Sequence, residues 1–295
     1  MSTPHERRKL TNLAYRLLGS LADAEDVVQE TYVRWYALSD EQRDTIESTG
    51  AWLTTVATRI CLDLLRSARH RRERYVGEWI PEPLPDRNEW VGAAARAGQA
   101  DPADRVTLDE SVSMAFLVVL ESMTPAERVA FILHDVFRYP FADVAEIVGR
   151  TPAACRQLAS SARARIQATP APVAPASGQA AIIREFKQAW AAKDIGALVA
   201  LLDPDVVAVA DGGGLVSAAL HPIAGSEEVV RAILSVSEAA PDLTFLERSV
   251  NGSPGLVMQH AGTTETVMAF AVDSGRITRI WAVRNPEKLR SWTLA

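Results

Sequence analysis

The chain has 295 residues, 37 Asp and Glu against 31 Lys and Arg for a formal net charge of −6, and 48% hydrophobic residues. That length suits two or three domains, and the apolar content is ample for real cores. The acidic balance argues against a free-standing nucleic-acid binder, which neutralises phosphates with a broad basic surface. No uncharged apolar run is long enough to span a bilayer, and MSTPHERRKL lacks a signal-peptide core, so a soluble, cytoplasmic protein with no membrane partner is expected.

In chain order, helices are expected around Arg8–Leu18 and Asp23–Leu38, separated by Gly19-Ser20. Asp23, Glu25 and Asp26 suit the positive end of the second helix's dipole. Its apolar stripe is Ala24, Val27, Val28, Thr31, Tyr32 and Trp35, which leaves Asp26, Gln29 and Glu30 on a polar, acidic face. A polar linker, SDEQRDTIEST, leads into Ala51–Arg74, where positive charge gathers: from Arg59 onward six arginines stand against Asp63 and Glu73. Leu53, Val56, Ile60 and Leu64 recur at helical intervals, and Arg59, Asp63, Arg66 and His70 recur on another face. One face is expected to pack and the other to meet a partner; a solvated arginine-rich face with no partner is the alternative. Cys61 and Cys155 fall at apolar positions of helical patterns, so buried free thiols are expected rather than a disulfide or metal pair.

In YVGEWIPEPLPDRNEW, Pro81, Pro83 and Pro85 forbid regular helix or central strand and predict a stiff, extended connector. Trp79 and Ile80 are unusual residues to leave in solvent, so the connector is expected to dock. A loose Ala/Gly-rich stretch to about Pro102 follows, and from Asp104 to Gln167 the pattern is helical again. Thr124-Pro125-Ala126-Glu127 opens one helix with a capping box. Beyond Pro140 two short helices meet at Gly149, the second capped by Thr151 with Pro152 just inside. Val144, Ala145 and Val148, then Cys155, Leu158, Ala159, Ala162 and Ile166, face inward, while Arg156, Gln157, Ser160 and Arg163 point out. This predicts a helix-turn-helix, although any two short helices packed about a glycine imitate one.

ATPAPVAPASGQ is the clearest domain boundary. Helices at Ala180–Lys193 and Ile195–Leu202, a strand at Val206–Ala210 and a helix at Ser226–Glu238 capped by Ser226 follow. Alternating runs at Leu243–Val250, Leu256–His260, Thr264–Val272 and Ile277–Val283 predict a curved antiparallel sheet and an α+β domain.

DAEDVVQETY (Asp23–Tyr32), AWLTTVATRICLDLLRSAR (Ala51–Arg69) and the block Thr124–Ile166 resemble, in order and spacing, regions 2.2, 2.3–2.4 and 4 of the group IV, extracytoplasmic-function sigma factors of bacterial RNA polymerase. YVGEWIPEP, DGGG (Asp211–Gly214) and NPEKL (Asn285–Leu289) resemble signatures of the SigJ-like subgroup, which carries a fused SnoaL-like C-terminal domain. Leu215 stands where that subgroup often has lysine, so no role of that lysine carries over. The resemblance implies a multidomain fold of two all-α sigma domains and an α+β, cone-shaped SnoaL-like domain. Its divisions would be residues 1–75 (region 2), 76–103 (connector), 104–167 (region 4 helix-turn-helix), 168–179 (Pro/Ala linker) and 180–295 (SnoaL-like).

The function so implied is promoter-specific transcription initiation, with no enzymatic activity, catalytic residue, metal or cofactor. The resemblance assigns Asp23, Asp26, Gln29 and Glu30 to binding of the RNA polymerase core enzyme. Arg59, Asp63, Arg66 and Arg69 would read and melt the minus-ten element of promoter DNA, which needs a site for a flipped base and a cationic track for single-stranded DNA. Arg156, Gln157, Ser160 and Arg163 would read the minus-35 element in the major groove. Regulatory contacts would lie at Trp79, Ile80, Pro81, Glu82, Pro83, Asp211, Gly212, Gly213, Gly214, Asn285 and Pro286, the C-terminal domain replacing a separate anti-sigma factor. An alternative is a SnoaL-like isomerase or cyclase fused to a DNA-binding module, with Asp211, His221, His260 and Trp281 as candidates. Against it, His260 and Trp281 would fill the cone, and Asp211 with three glycines would form a mobile turn. An ordinary helix-turn-helix repressor leaves Asp23–Tyr32 and the basic helix without a task.

Overall fold

The computed structural model describes residues 4–72, 75–85, 112–168, 176–240 and 242–292. They fall into two compact units, one formed by the helices of residues 4–72 and 117–168 and one by residues 75–85 and 112–116 together with the C-terminal third.

In the helical unit, α1 (Pro4–Leu18) and α2 (Leu21–Tyr36) start earlier than the periodicity predicts. Ser20 sets the start of α2: its hydroxyl accepts the Asp23 N–H, so the acids occupy the first turn. SDEQRDTIEST is not wholly a linker, because a capping box between Ser39 and Gln42 closes a short helix, α3 (Asp40–Asp44). The basic helix is α4 (Thr49–Arg72), and its buried stripe differs from the expected one. Leu53, Thr54, Ala57, Thr58, Cys61, Leu62 and Leu65 are buried, while Val56, Ile60 and Leu64 are only half-buried. Thr54 and Thr58 satisfy their hydroxyls on the carbonyls of Gly50 and Thr54, so two polar residues enter the packed face without an unmet donor. Helices α1, α2 and α4 pack together around Leu13, Leu17, Val27, Val28 and Leu53.

The rest of this unit comprises α5 (Met114–Glu121) from Leu117 onward, α6 (Pro125–Phe131) running into a π turn (Ile132–Val136), α7 (Phe141–Val148) and α8 (Pro152–Ala168). The predicted caps are present. Thr124 and Glu127 satisfy each other's backbone N–H groups, Thr151 Oγ1 accepts from Ala154, and Gly149 (φ 71) takes the left-handed conformation that ends α7. Helix α4 packs against α6 and α7, and α1 against the π turn. At this junction Arg128, 2% exposed, donates to the Leu17 carbonyl (2.8 Å) and to Glu121 (2.7 Å). Burial pushes its guanidinium down to about 9.

In the second unit α9 (Ala176–Ala191), α10 (Ile195–Leu201) and α11 (Ser226–Ala239) pack on a six-stranded sheet of order β2-β1-β6-β5-β4-β3. The strands are β1 (Leu202–Asp211), β2 (Ile223–Ala224), β3 (Thr244–Val250), β4 (Ser253–His260), β5 (Thr263–Asp273) and β6 (Arg276–Val283). Helix α9 begins inside the expected Pro/Ala linker, and Gly225 rather than Ser226 is the N-cap of α11. Three two-residue hairpin loops, Asn251-Gly252, Ala261-Gly262 and Ser274-Gly275, have positive φ at both positions, the backbone of a type I′ turn whose twist matches paired strands. The sheet is not wholly antiparallel: β1 runs parallel to β6 because the chain crosses over before returning beside it. The core joins Phe186, Trp190, Leu198, Leu202, Val229, Met258, Phe270 and Ile280. Each such side chain contributes roughly 1.5–3 kcal/mol on burial.

Candidate functional site

Asp23, Asp26, Gln29 and Glu30 are all exposed on α2. Glu30 pairs with Arg34 one turn on (2.9 Å), a surface pair worth a few tenths of a kcal/mol. The same helix exposes Val33 and Tyr36, 57% and 61% accessible, which the sequence reading did not single out. Acids beside exposed apolar side chains form the kind of surface that a partner covers.

On α4, Arg59, Asp63 and Arg66 are exposed. Arg66 meets Asp63 (3.3 Å), and Arg59 donates to the Glu146 carbonyl of α7 (3.3 Å). The Arg69 side chain lies outside the described residues. On α8, Arg156, Gln157 and Ser160 are exposed, with the Arg156 guanidinium 5.6 Å from the Phe141 ring centroid. Arg163 departs from the expected outward position: it is half-buried and grips both carboxylate oxygens of Asp135 in the π turn (2.7 and 3.3 Å). Its partner lies on a different element, so the periodicity of α8 alone does not reveal the pairing.

The second cluster forms where the connector meets the end of β1. Ile80, Pro81, Glu82 and Pro83 are consecutive buried residues, so the connector docks as its apolar content predicts. Asp211, with no exposed surface, holds it. Its Oδ1 accepts from the Tyr75 hydroxyl (2.6 Å) and the Gly213 N–H (3.0 Å). Its Oδ2 accepts from the Ile80 N–H (2.9 Å) and Lys288 Nζ (2.6 Å). All four acceptor directions of an ionised carboxylate are thereby used. Its backbone carbonyl takes the N–H groups of Arg284 and Asn285. The mobile turn expected at Asp211 is therefore a buried hub.

Lys288 also donates to the Ile80 carbonyl and lies 4.0 Å from the Trp79 ring centroid, a cation–π contact. Asn285 donates to the Tyr75 hydroxyl (2.9 Å), and Pro286 is exposed beside it. Farther along, Trp292 Nε1 donates to the Pro83 carbonyl (2.8 Å), and Leu84 and Asn251 exchange two hydrogen bonds. Burial, reinforced by the bond to Asp211, holds the Tyr75 hydroxyl well above its ordinary pKa of 10.0. The three glycines have separate reasons. A Cβ on Gly212 would lie 2.4 Å from the Val216 carbonyl, and one on Gly213 (φ +64) 2.3 Å from Asn285 Nδ2. One on Gly214 (φ +72) would press on Val76 at 3.0 Å. Lys288, the cation of this clasp, was missed as a site residue although NPEKL contains it.

The cone holds a cavity of about 280 Å³ that opens to the surface, lined in part by Trp190, Ile233, Met258 and Met268. Among the described residues no Asp, Glu or His lines it. His260 does not fill the cone: it is exposed, 3.4 Å from Glu265, and His221 is exposed too, whereas Trp281 is buried. The candidates for catalysis are thus not brought together, and the Asp211 carboxylate is fully occupied by Tyr75, Ile80, Gly213 and Lys288. No described helix is long and apolar enough to cross a membrane.

Residues 5–71 match the family model for Sigma-70 region 2, and residues 113–166 match that for Sigma-70, region 4. The chain is 40% identical over 294 residues to the ECF RNA polymerase sigma factor SigJ of Mycobacterium tuberculosis, covering 96% of this chain and 90% of that protein. It is 34% identical over 286 residues to the probable ECF RNA polymerase sigma factor SigI of the same organism, covering 96% and 92%. The crystal structure of M. tuberculosis SigJ matches with a TM-score of 0.75 at 34% identity, over 97% of this chain and 96% of that one.

Proposed function

Because the chain belongs to the extracytoplasmic-function RNA polymerase sigma factors, we propose that its fused C-terminal domain governs, in cis, when it acts. As a family member it is a non-enzymatic initiation factor that binds core polymerase and promoter DNA, and its C-terminal unit has the α+β SnoaL-like architecture. In our reading Asp23, Asp26, Gln29 and Glu30, with Val33 and Tyr36, meet the core enzyme. Arg59, Asp63, Arg66 and Arg69 engage the minus-ten element, and Arg156, Gln157 and Ser160 the minus-35 element. Arg163 acts mainly by bracing α8 on the π turn. Such a protein works where the polymerase is, in the cytoplasm.

The observation that carries cis regulation is the Asp211 hub. A connector with four consecutive buried residues is unavailable to any other surface, and the clasp begins at Tyr75, three positions after the last residue of α4. The helical unit supports the same reading. The two promoter elements lie ~25 base pairs apart, about 85 Å at 3.4 Å per pair. A unit in which Arg59 of α4 bonds to Glu146 of α7 cannot present α4 and α8 so far apart, so the packed arrangement is a closed one. In this reading the C-terminal domain takes the part of a separate anti-sigma factor.

Run-off transcription with purified core polymerase tests this. The full chain, a version ending near Ala176 and the full-length Asp211→Asn variant are compared. Promoter-specific initiation is expected, with the altered forms differing severalfold from the full chain. Equal activity in all three overturns regulation in cis.

A further inference from the structure

The cavity in the cone exists because its wall is built from small residues. Ala208, Ala210, Ala218, Ala219, Ala232 and Ala282 line it where leucine or valine would close it. Close packing is the rule in protein interiors, and unfilled space forfeits dispersion contacts. At about 280 Å³ it has nearly twice the volume of an apolar cavity that takes benzene, room for a fused two-ring body. Met258 and Met268 add adaptable side chains to the wall. The only charged side chain lining it among the described residues is Arg284. A guanidinium has five donors, and Arg284 commits Nη1 to the Ser217 carbonyl. The cavity wall therefore pairs an extensive apolar surface with one cation and no acid.

We propose that this cavity binds a small organic anion with an apolar body, such as an aromatic carboxylate, its acid group on Arg284. The polarity decides the class: a cationic ligand would meet Arg284 with nothing to neutralise either charge, whereas a carboxylate gains a charge-assisted pair. The wall also touches the clasp, since Ala210 precedes Asp211 and Arg284 precedes Asn285. The binding claim is independent of transcription and is read without it.

The test uses the full chain and two probes of one shape, naphthoate and naphthylmethylammonium, titrated by calorimetry. Naphthoate is expected to bind one per chain, at least tenfold tighter than the ammonium. Ala282→Leu should weaken it at least tenfold, and Ala218→Leu, in the loop beside the cavity, provides the same readout if Ala282→Leu does not fold. Arg284→Gln should erase the preference for naphthoate while leaving the apolar contribution. Equal binding of the two probes, no saturable binding, or naphthoate affinity unaffected by filling the cavity overturns the proposal.

Discussion

Lys288 Nζ lies 2.6 Å from Asp211 Oδ2, a pair 77 positions apart in the chain whose carboxylate side chain is wholly buried. Removing two charges from water costs several kcal/mol each, so such a pair adds little net stability over well-packed apolar residues. It does make the position specific. Four donors converge on Asp211, and no neutral side chain of that size accepts all of them.

Asp211→Asn retains the shape but turns an NH2 toward two of those donors and leaves Lys288 without its counter-charge. Unfolding of the C-terminal unit by denaturant should show a loss of about 3 kcal/mol. Hydrogen exchange at the Ile80 amide should accelerate markedly. Lys288→Met should cost a similar amount, and the double variant much less than the sum, since the two act as one unit.

Gly213→Ala forces a non-glycine residue into the left-handed region at about 1–2 kcal/mol and drives its Cβ into Asn285. Gly212→Ala meets the Val216 backbone carbonyl, which cannot rotate away as a side chain can. Thermal unfolding should therefore place Gly212→Ala at or below Gly213→Ala, and both below wild type.

Tyr75 couples the clasp to pH. Its hydroxyl holds its proton more tightly folded than unfolded, so its contribution is fully present below pH 10.0, the ordinary tyrosine value, and is lost as pH rises toward the folded value. Titration followed by phenolate absorbance should show one tyrosine ionising late, and that late step should vanish in Tyr75→Phe.

Arg156→Ala and Arg163→Ala should separate recognition from bracing. Arg156 is exposed, so its loss should weaken promoter binding by the holoenzyme and reduce the salt slope by about one, at a stability cost of no more than about 1 kcal/mol from the lost contact with Phe141. Arg163 holds Asp135, so its loss should lower the unfolding midpoint of the helical unit.

Thr124→Ala removes a capping box whose partner, Glu127, is also held by Ser161 (2.7 Å). The cost should be about 1 kcal/mol. Burial alone would raise the Glu127 pKa, but its bonds from Ser161 and Thr124 outweigh that and hold it below the usual glutamate value. The contribution of those bonds is then present above the ordinary value of 4.5 and fades as pH falls through the folded value, which acid unfolding of Thr124→Ala beside wild type would resolve.

Helices, strands, caps and turns were legible because their causes are local: i, i+3 and i+4 spacing, Ser or Thr before a helix, glycine after one, alternation in strands. So were the exposed residues of α2, α4 and most of α8, since a polar face follows from the same periodicity. The stripe of α4 was misjudged because Thr54 and Thr58 read as polar until their hydroxyls are seen bonded within the helix. The pairing of Arg163, whose side chain stays 41% accessible, with Asp135 was not legible because the acid lies on another element.

By itself, then, the sequence determined most of the helices and strands and where the connector lies. Only the tertiary structure decided that β1 lies parallel to β6, that alanines leave a cavity, and that Tyr75, Ile80, Asp211 and Lys288 meet. Local periodicity cannot specify contacts between residues so far apart in the chain. Their meeting follows from where the sheet ends and from the cost of burying a carboxylate without enough donors to satisfy it.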